Sequence, residues 1–207
     1  MKPNDAVFEQ AVPHEAGHAL LAYCFRIAIK HIAFDIKSEF GGRIISAIAD
    51  PSNAATEKEK RAHCLVASAG IAGEAIERGF YDPVNLKPGN PDKDVVRTLA
   101  SAGLTDFLEP ARKIIEKNKS AFDRLCSALR ERYPVVRQQI ISSGQPGIYI
   151  LLDKEDLDKI LGEVTPTGKA KAPPKRSMAK RSSKAKTPRE RDRQKPTRKA
   201  KKPRKRS

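Results

Sequence analysis

His14-Glu15-Ala16-Gly17-His18 sets two histidines and a glutamate at a spacing that can do chemistry. On a helix, residues four apart lie one above the other, so the imidazoles of His14 and His18 point the same way. Two neutral imidazoles readily hold one metal ion, and zinc with three protein ligands keeps an open position for water. Glu15 follows the first histidine and is placed to accept a proton from a water whose pKa the metal lowers to about 7. The chemistry predicted is hydrolysis of an amide, most simply a peptide bond. The chain has only four histidines in 207 residues, and at that frequency the pattern arises by chance about 0.005 times.

A catalytic zinc held by two histidines is one protein ligand short. Asp92 and Asp94 are the candidates. From Asp92 the positions +3, +4, +7 and +8 are Val95, Val96, Leu99 and Ala100, one apolar helix face that turns to a core. From Asp94 they are Arg97, Thr98, Ser101 and Ala102, a poorer face. Asp92 is therefore favoured and Asp94 is the alternative. Glu74 follows the small-residue run 67–73, which lets another helix pack closely. It is a rival ligand, or a carboxylate that accepts the free N–H of a metal-bound histidine and fixes its ring. His63 lies three helical turns earlier and can share that face, whereas His31 has no ligand spacing to any partner.

The elements that must carry these groups follow from pattern. Residues 5–26 read as a helix that is apolar or small around the motif, with Pro13 either kinking it or opening the metal helix at its first turn. Ile32, Phe34 and Ile36 alternate in a strand over 30–36, Gly41-Gly42 is a turn, and 43–49 is a second strand. Thr56 and Glu59 form a capping box for a helix that runs to about Arg78, with Gly79 closing it. Three prolines make 81–91 a loop, and Asn90 caps a helix from Pro91 to about Ala102. One long amphipathic helix is predicted through Phe107, Ala111, Ile114, Phe122, Leu125 and Leu129, with Pro110 near its start. A short strand over 148–152 and a helix over 156–161 complete a mainly α fold with a small β-sheet. Residues 43–49 also read as an edge that an extended substrate can join through main-chain hydrogen bonds, or as a plain structural hairpin.

These motifs resemble those of the FtsH-type zinc peptidases. His14-Glu15-Ala16-Gly17-His18-Ala19-Leu20 is similar to that family's HEAGHAL segment. Ala69-Gly70-Ile71-Ala72-Gly73-Glu74 resembles its GGRxAEE helix, with Ile71 where the family usually has arginine. Asn90 to Val96 resembles the segment that carries the family's aspartate ligand. The resemblance covers about residues 6–135. It implies Zn2+ as cofactor and an HExxH-helix metallopeptidase domain. The family also carries transmembrane helices and an ATPase module. No apolar run here reaches the ~18 residues that span a bilayer, and no Gly-x-x-x-x-Gly-Lys-Ser/Thr loop for ATP is present. A peptidase of this kind needs unfolded proteins or peptides as substrate, or a separate ATPase or delivery partner.

Charge divides the chain. Residues 164–207 hold 19 Lys and Arg against Glu190 and Asp192, a net of +17, while residues 1–163 carry −1. The tail is rich in Pro, Ser and Ala and poor in large apolar residues, which predicts disorder. The domains expected are therefore 1–163, the peptidase-like unit, and 164–207, a basic tail. The tail fits nucleic acid or another polyanion without sequence preference, since it has no aromatic residue to stack bases. Cys24, Cys64 and Cys126 are widely spaced and read as reduced thiols of a cytoplasmic protein. Two functional classes remain: a zinc metallopeptidase with Glu15 as general base, and a non-proteolytic peptidase-fold binding protein tethered to polyanions by its tail. Truncation after Glu163 should remove most affinity for DNA or heparin. Full-length protein should bind them with a steep fall of log affinity against log salt in fluorescence anisotropy. An unchanged affinity and salt slope in the truncated chain would show that the tail is not the contact.

Overall fold

The computed structural model describes residues 5–38, 41–80, 90–100 and 103–164. Helix α1 spans Asp5–Cys24 and leads into strands β1 (Ile29–Ser38) and β2 (Gly41–Ile48). After a 3-10 turn at Pro51–Asn53 come α2 (Glu57–Arg78), α3 (Pro91–Leu99), α4 (Thr105–Lys117) and α5 (Lys119–Ser143). Strand β3 (Gly147–Leu152) and helix α6 (Lys154–Leu161) follow. Among the described residues the fold is mainly helical with one antiparallel sheet of three strands, ordered β2-β1-β3. None of the described helices is long and apolar enough to cross a membrane.

The helix ends follow local chemistry. Thr56 and Glu59 exchange the two hydrogen bonds of a capping box at the start of α2, and Gly79 ends it at φ 80, where a side chain would be strained. Asp153 and Asp156 form a second capping box on α6. Helix α1 runs through Pro13 without ending, although proline cannot donate to the carbonyl four residues back. From Val12 to Ala22 nearly every residue of α1 is buried, so packing on all sides holds the continuous helix.

The sheet and the later helices depart from the sequence reading in three places. Gly41 and Gly42 are not a turn but the first residues of β2, facing Ser38 and Ile36 of β1. The helix expected from Pro91 to about Ala102 stops at Leu99, because Ala100 is extended and closes it with a hydrogen bond to the Val96 carbonyl. The single long helix through Phe107 and Leu129 is two helices. At Asn118, φ −113 and ψ 29, the chain leaves helical geometry, and the Asn118 side chain donates to the Ile114 carbonyl. That amide offers the backbone a local alternative to the helical ladder. The apolar periodicity continues across the break, so pattern alone reads it as one helix. Residues 81–89 of the predicted loop and residues 165–207 of the predicted tail lie outside the described residues. Val164, placed in the tail by charge, is buried against the core.

Helices α1 and α2 cross antiparallel at close range. Pro13 of α1 meets Gly73 of α2, and Gly17 meets Ala69, so one index rises as the other falls. Phe8 stacks on Tyr133 of α5 with ring centroids 3.7 Å apart, and the Tyr133 hydroxyl donates to Asp5. The sheet covers the same core through Ile32, Phe34 and Ile36. The three cysteines are buried, and none forms a disulfide. Burial pushes the Cys24 and Cys64 thiols up to about 11 and Cys126 to about 12, so none is a thiolate at neutral pH.

The crossing predicts its own sensitivity. A Cβ at Gly17 would lie 2.8 Å from the Ala69 carbonyl carbon and closer still to its oxygen. Gly17→Ala gains up to about 1 kcal/mol of helix propensity, but two backbones would have to separate. The net effect expected in chemical denaturation is a loss of about 1–3 kcal/mol. A stabilised variant would show that the helices are free to move apart.

Candidate metal centre

The site begins with α1, which sets His14 and His18 on one face one turn apart. Their Nε2 atoms are 3.0 Å from each other, and the two rings meet edge to face. Helix α2 takes the opposite side of each ring. Glu74 accepts from His14 Nδ1 at 2.6 Å, and the Val66 carbonyl accepts from His18 Nδ1 at 2.7 Å. Arg78, one turn on, lies 3.5 Å from the other oxygen of Glu74. A carbonyl can only accept, so His18 carries its proton on Nδ1, and the carboxylate of Glu74 favours the same tautomer in His14. Both Nε2 lone pairs are then left facing one region of space.

Helix α3 brings Asp92 to that region. Asn90 accepts from the backbone N–H groups of Asp92 and Lys93 at 2.8 and 3.3 Å, and Pro91 follows the cap. This cap fixes the first turn from which Asp92 projects. Its Oδ2 lies 3.3 Å from His14 Nε2 and its Oδ1 3.5 Å from His18 Nε2. The apolar positions that follow Asp92 pack inward, with Val96 fully buried and Val95, Leu99 and Ala100 partly buried against the core. Asp94 turns away and pairs with Arg97 at 3.1 Å on the exposed side.

Two imidazole nitrogens and a carboxylate oxygen thus lie within 4.8 Å of one another. Three electron-pair donors that converge repel each other unless a cation, either a metal ion or added protons, stands among them. The donor set of two imidazoles and a carboxylate is one that divalent transition metals take. Space is also kept for it: a Cβ on Gly70 of α2 would lie 2.6 Å from Nε2 of both histidines. Without a metal, protons take its place. Burial disfavours a charged His14, but the hydrogen bonds to Asp92 and Glu74 outweigh it and push its pKa up to about 10. His18 is also raised, with burial opposed chiefly by Asp92. The same histidines hold Asp92 below the usual carboxylate range despite its burial.

Glu15 is buried beside this cluster, and its Oε2 accepts from the Ser46 hydroxyl of β2 at 2.6 Å. A cleft of about 380 Å³ opens over the site, bounded by β2 from Arg43 to Ser46, by Val66 and Ala67 of α2, and by Val95 of α3. His63 lies on its wall, not among the converging groups. Of the residues singled out in the sequence, His14, Glu15, His18, Glu74 and Asp92 come together, while Asp94 and His31 do not. Ser46 and the Val66 carbonyl carry no signal in the sequence, because a serine in a strand and a main-chain oxygen are unremarkable until tertiary packing places them. Comparison with protein-family models and with curated proteins found no match.

The pKa of His14 has a consequence for the metal-free protein. The folded state binds this proton more tightly than the unfolded chain, whose histidine titrates near 6.5. The stability it contributes is full below about pH 6.5 and is lost as pH rises to about 10. In the presence of a chelator, the denaturation midpoint should fall across that window, and fall less in His14→Gln. A flat profile in the unsubstituted protein would contradict this reading.

Proposed function

We propose that the chain is a zinc-dependent metallopeptidase that hydrolyses peptide bonds of unfolded proteins or peptides. The observation that carries this reading is the convergence of His14 Nε2, His18 Nε2 and Asp92 at the foot of an open cleft, with the carboxylate of Glu15 beside them. His14, His18 and Asp92 would hold the zinc, which supplies a Lewis acid and makes water acidic enough to ionise near neutral pH. Glu74 and the Val66 carbonyl keep both Nε2 lone pairs turned to it. Glu15 takes a proton from water as its oxygen adds to the scissile carbonyl carbon. The same carboxylate then delivers the proton to the amine nitrogen as the C–N bond breaks.

The substrate class is read from the cleft. Strand β2 is an edge of the sheet and pairs with β1 on one side, so its other side can take an extended chain by main-chain hydrogen bonds, independent of sequence. An extended segment is available in peptides and unfolded proteins. A folded substrate would need a separate ATPase or delivery partner.

Zinc titration and peptide hydrolysis test this together. Wild type and Asp94→Ala should bind one zinc per chain and degrade casein, and Asp92→Ala should lose the metal. Glu15→Gln should keep zinc and fold while hydrolysis falls by about 10²–10⁴-fold, since glutamine cannot accept the proton. Zinc retained in His14→Ala combined with His18→Ala would sink the metal assignment. Full zinc with no hydrolysis by wild type would favour the peptidase-fold binding protein instead.

A further inference from the structure

We infer that Ser46 is the positioning residue for the general base, an inference that rests on the hydrolase reading above. The helix fixes the Cα of Glu15, but three side-chain torsions separate that atom from its carboxylate. A base must stand within about 3 Å of the proton it takes, so something beyond α1 has to fix those torsions. Ser46 supplies it. Its hydroxyl donates to Glu15 Oε2 at 2.6 Å, a length expected for a hydroxyl on an ionised carboxylate. Among the described residues it is the one hydrogen-bond donor to that side chain. With Oε2 engaged, Oε1 is the oxygen left to receive the proton from water.

The position of Ser46 in the sheet adds a second consequence. Ser46 lies opposite Ile32 of β1, third from the C-terminal end of β2. The strand that orients the base is therefore the edge strand that borders the cleft. Substrate main chain paired along β2 would thus be tied to the same strand as the carboxylate of Glu15, which limits how far base and scissile bond can move apart. Near-attack geometry of this kind is sensitive to displacements of about 1 Å.

The test uses the full chain loaded with zinc, with Ser46→Ala and Ser46→Thr compared against wild type on an internally quenched unfolded substrate. Ser46→Ala should keep its zinc and its thermal transition, lose about 10-fold or more in kcat, and hold KM within about twofold, since the main-chain edge is unchanged. Ser46→Thr keeps the hydroxyl and suits a strand, and should recover most of the lost kcat. Wild-type kcat in Ser46→Ala would overturn the inference while leaving the hydrolase reading intact. Equal losses in both variants would also overturn it, because they would report packing and not the hydroxyl. A zinc-loaded wild type without hydrolysis would overturn both readings at once.

Discussion

The antiparallel crossing of α1 and α2 is the constraint on which the site depends. Gly17 against Ala69 and Gly73 against Pro13 let the two backbones touch. At that separation a side chain and a carbonyl of α2 reach the Nδ1 atoms of two histidines on α1. Wider spacing would leave both imidazoles free to rotate and to change tautomer. Contact between the helices converts two flexible rings into two lone pairs aimed at one place. Gly70 keeps that place open, because any side chain there would fill it.

Such a cluster is unfavourable in isolation. Buried histidines and carboxylates lose hydration, and a group left without a partner costs several kcal/mol. The arrangement answers this by pairing every member: Glu74 with His14 and Arg78, Asp92 with both histidines, Glu15 with Ser46. The remaining strain is concentrated where the Nε2 atoms and Asp92 converge, and a cation relieves it. Affinity for protons and the affinity for a metal that we propose would thus be two expressions of one electrostatic arrangement. The cap at Asn90 matters here, since it holds Asp92 by backbone geometry and does not rely on the pairing itself.

Much of the fold was legible because its signals are local. Capping at Thr56 and Glu59, closure at Gly79 and the cap at Asn90 involve residues within a few positions of each other. The alternation of Ile32, Phe34 and Ile36 likewise belongs to one strand facing one core. The misread places are those where a local signal was ambiguous. Gly41 and Gly42 fit a turn or a strand end, and cross-strand pairing with β1 selects the strand. Asn118 interrupts an amphipathic pattern that continues unbroken in residue type, so nothing in the periodicity marks the change of helix.

The sequence by itself determined the pair His14 and His18, the carboxylate beside them and the apolar face behind Asp92, because helical spacing makes these one-dimensional facts. It also determined the charge division between the first 163 residues and the basic remainder. Tertiary structure alone decided which carboxylate stands with the histidines, which backbone carbonyl orients His18, and which hydroxyl holds Glu15. Glu74, the Val66 carbonyl and Ser46 lie 60, 48 and 31 residues along the chain from the groups that they orient. No periodicity links positions so far apart. Their meeting depends on how closely α1 packs on α2 and on where the edge of the sheet falls.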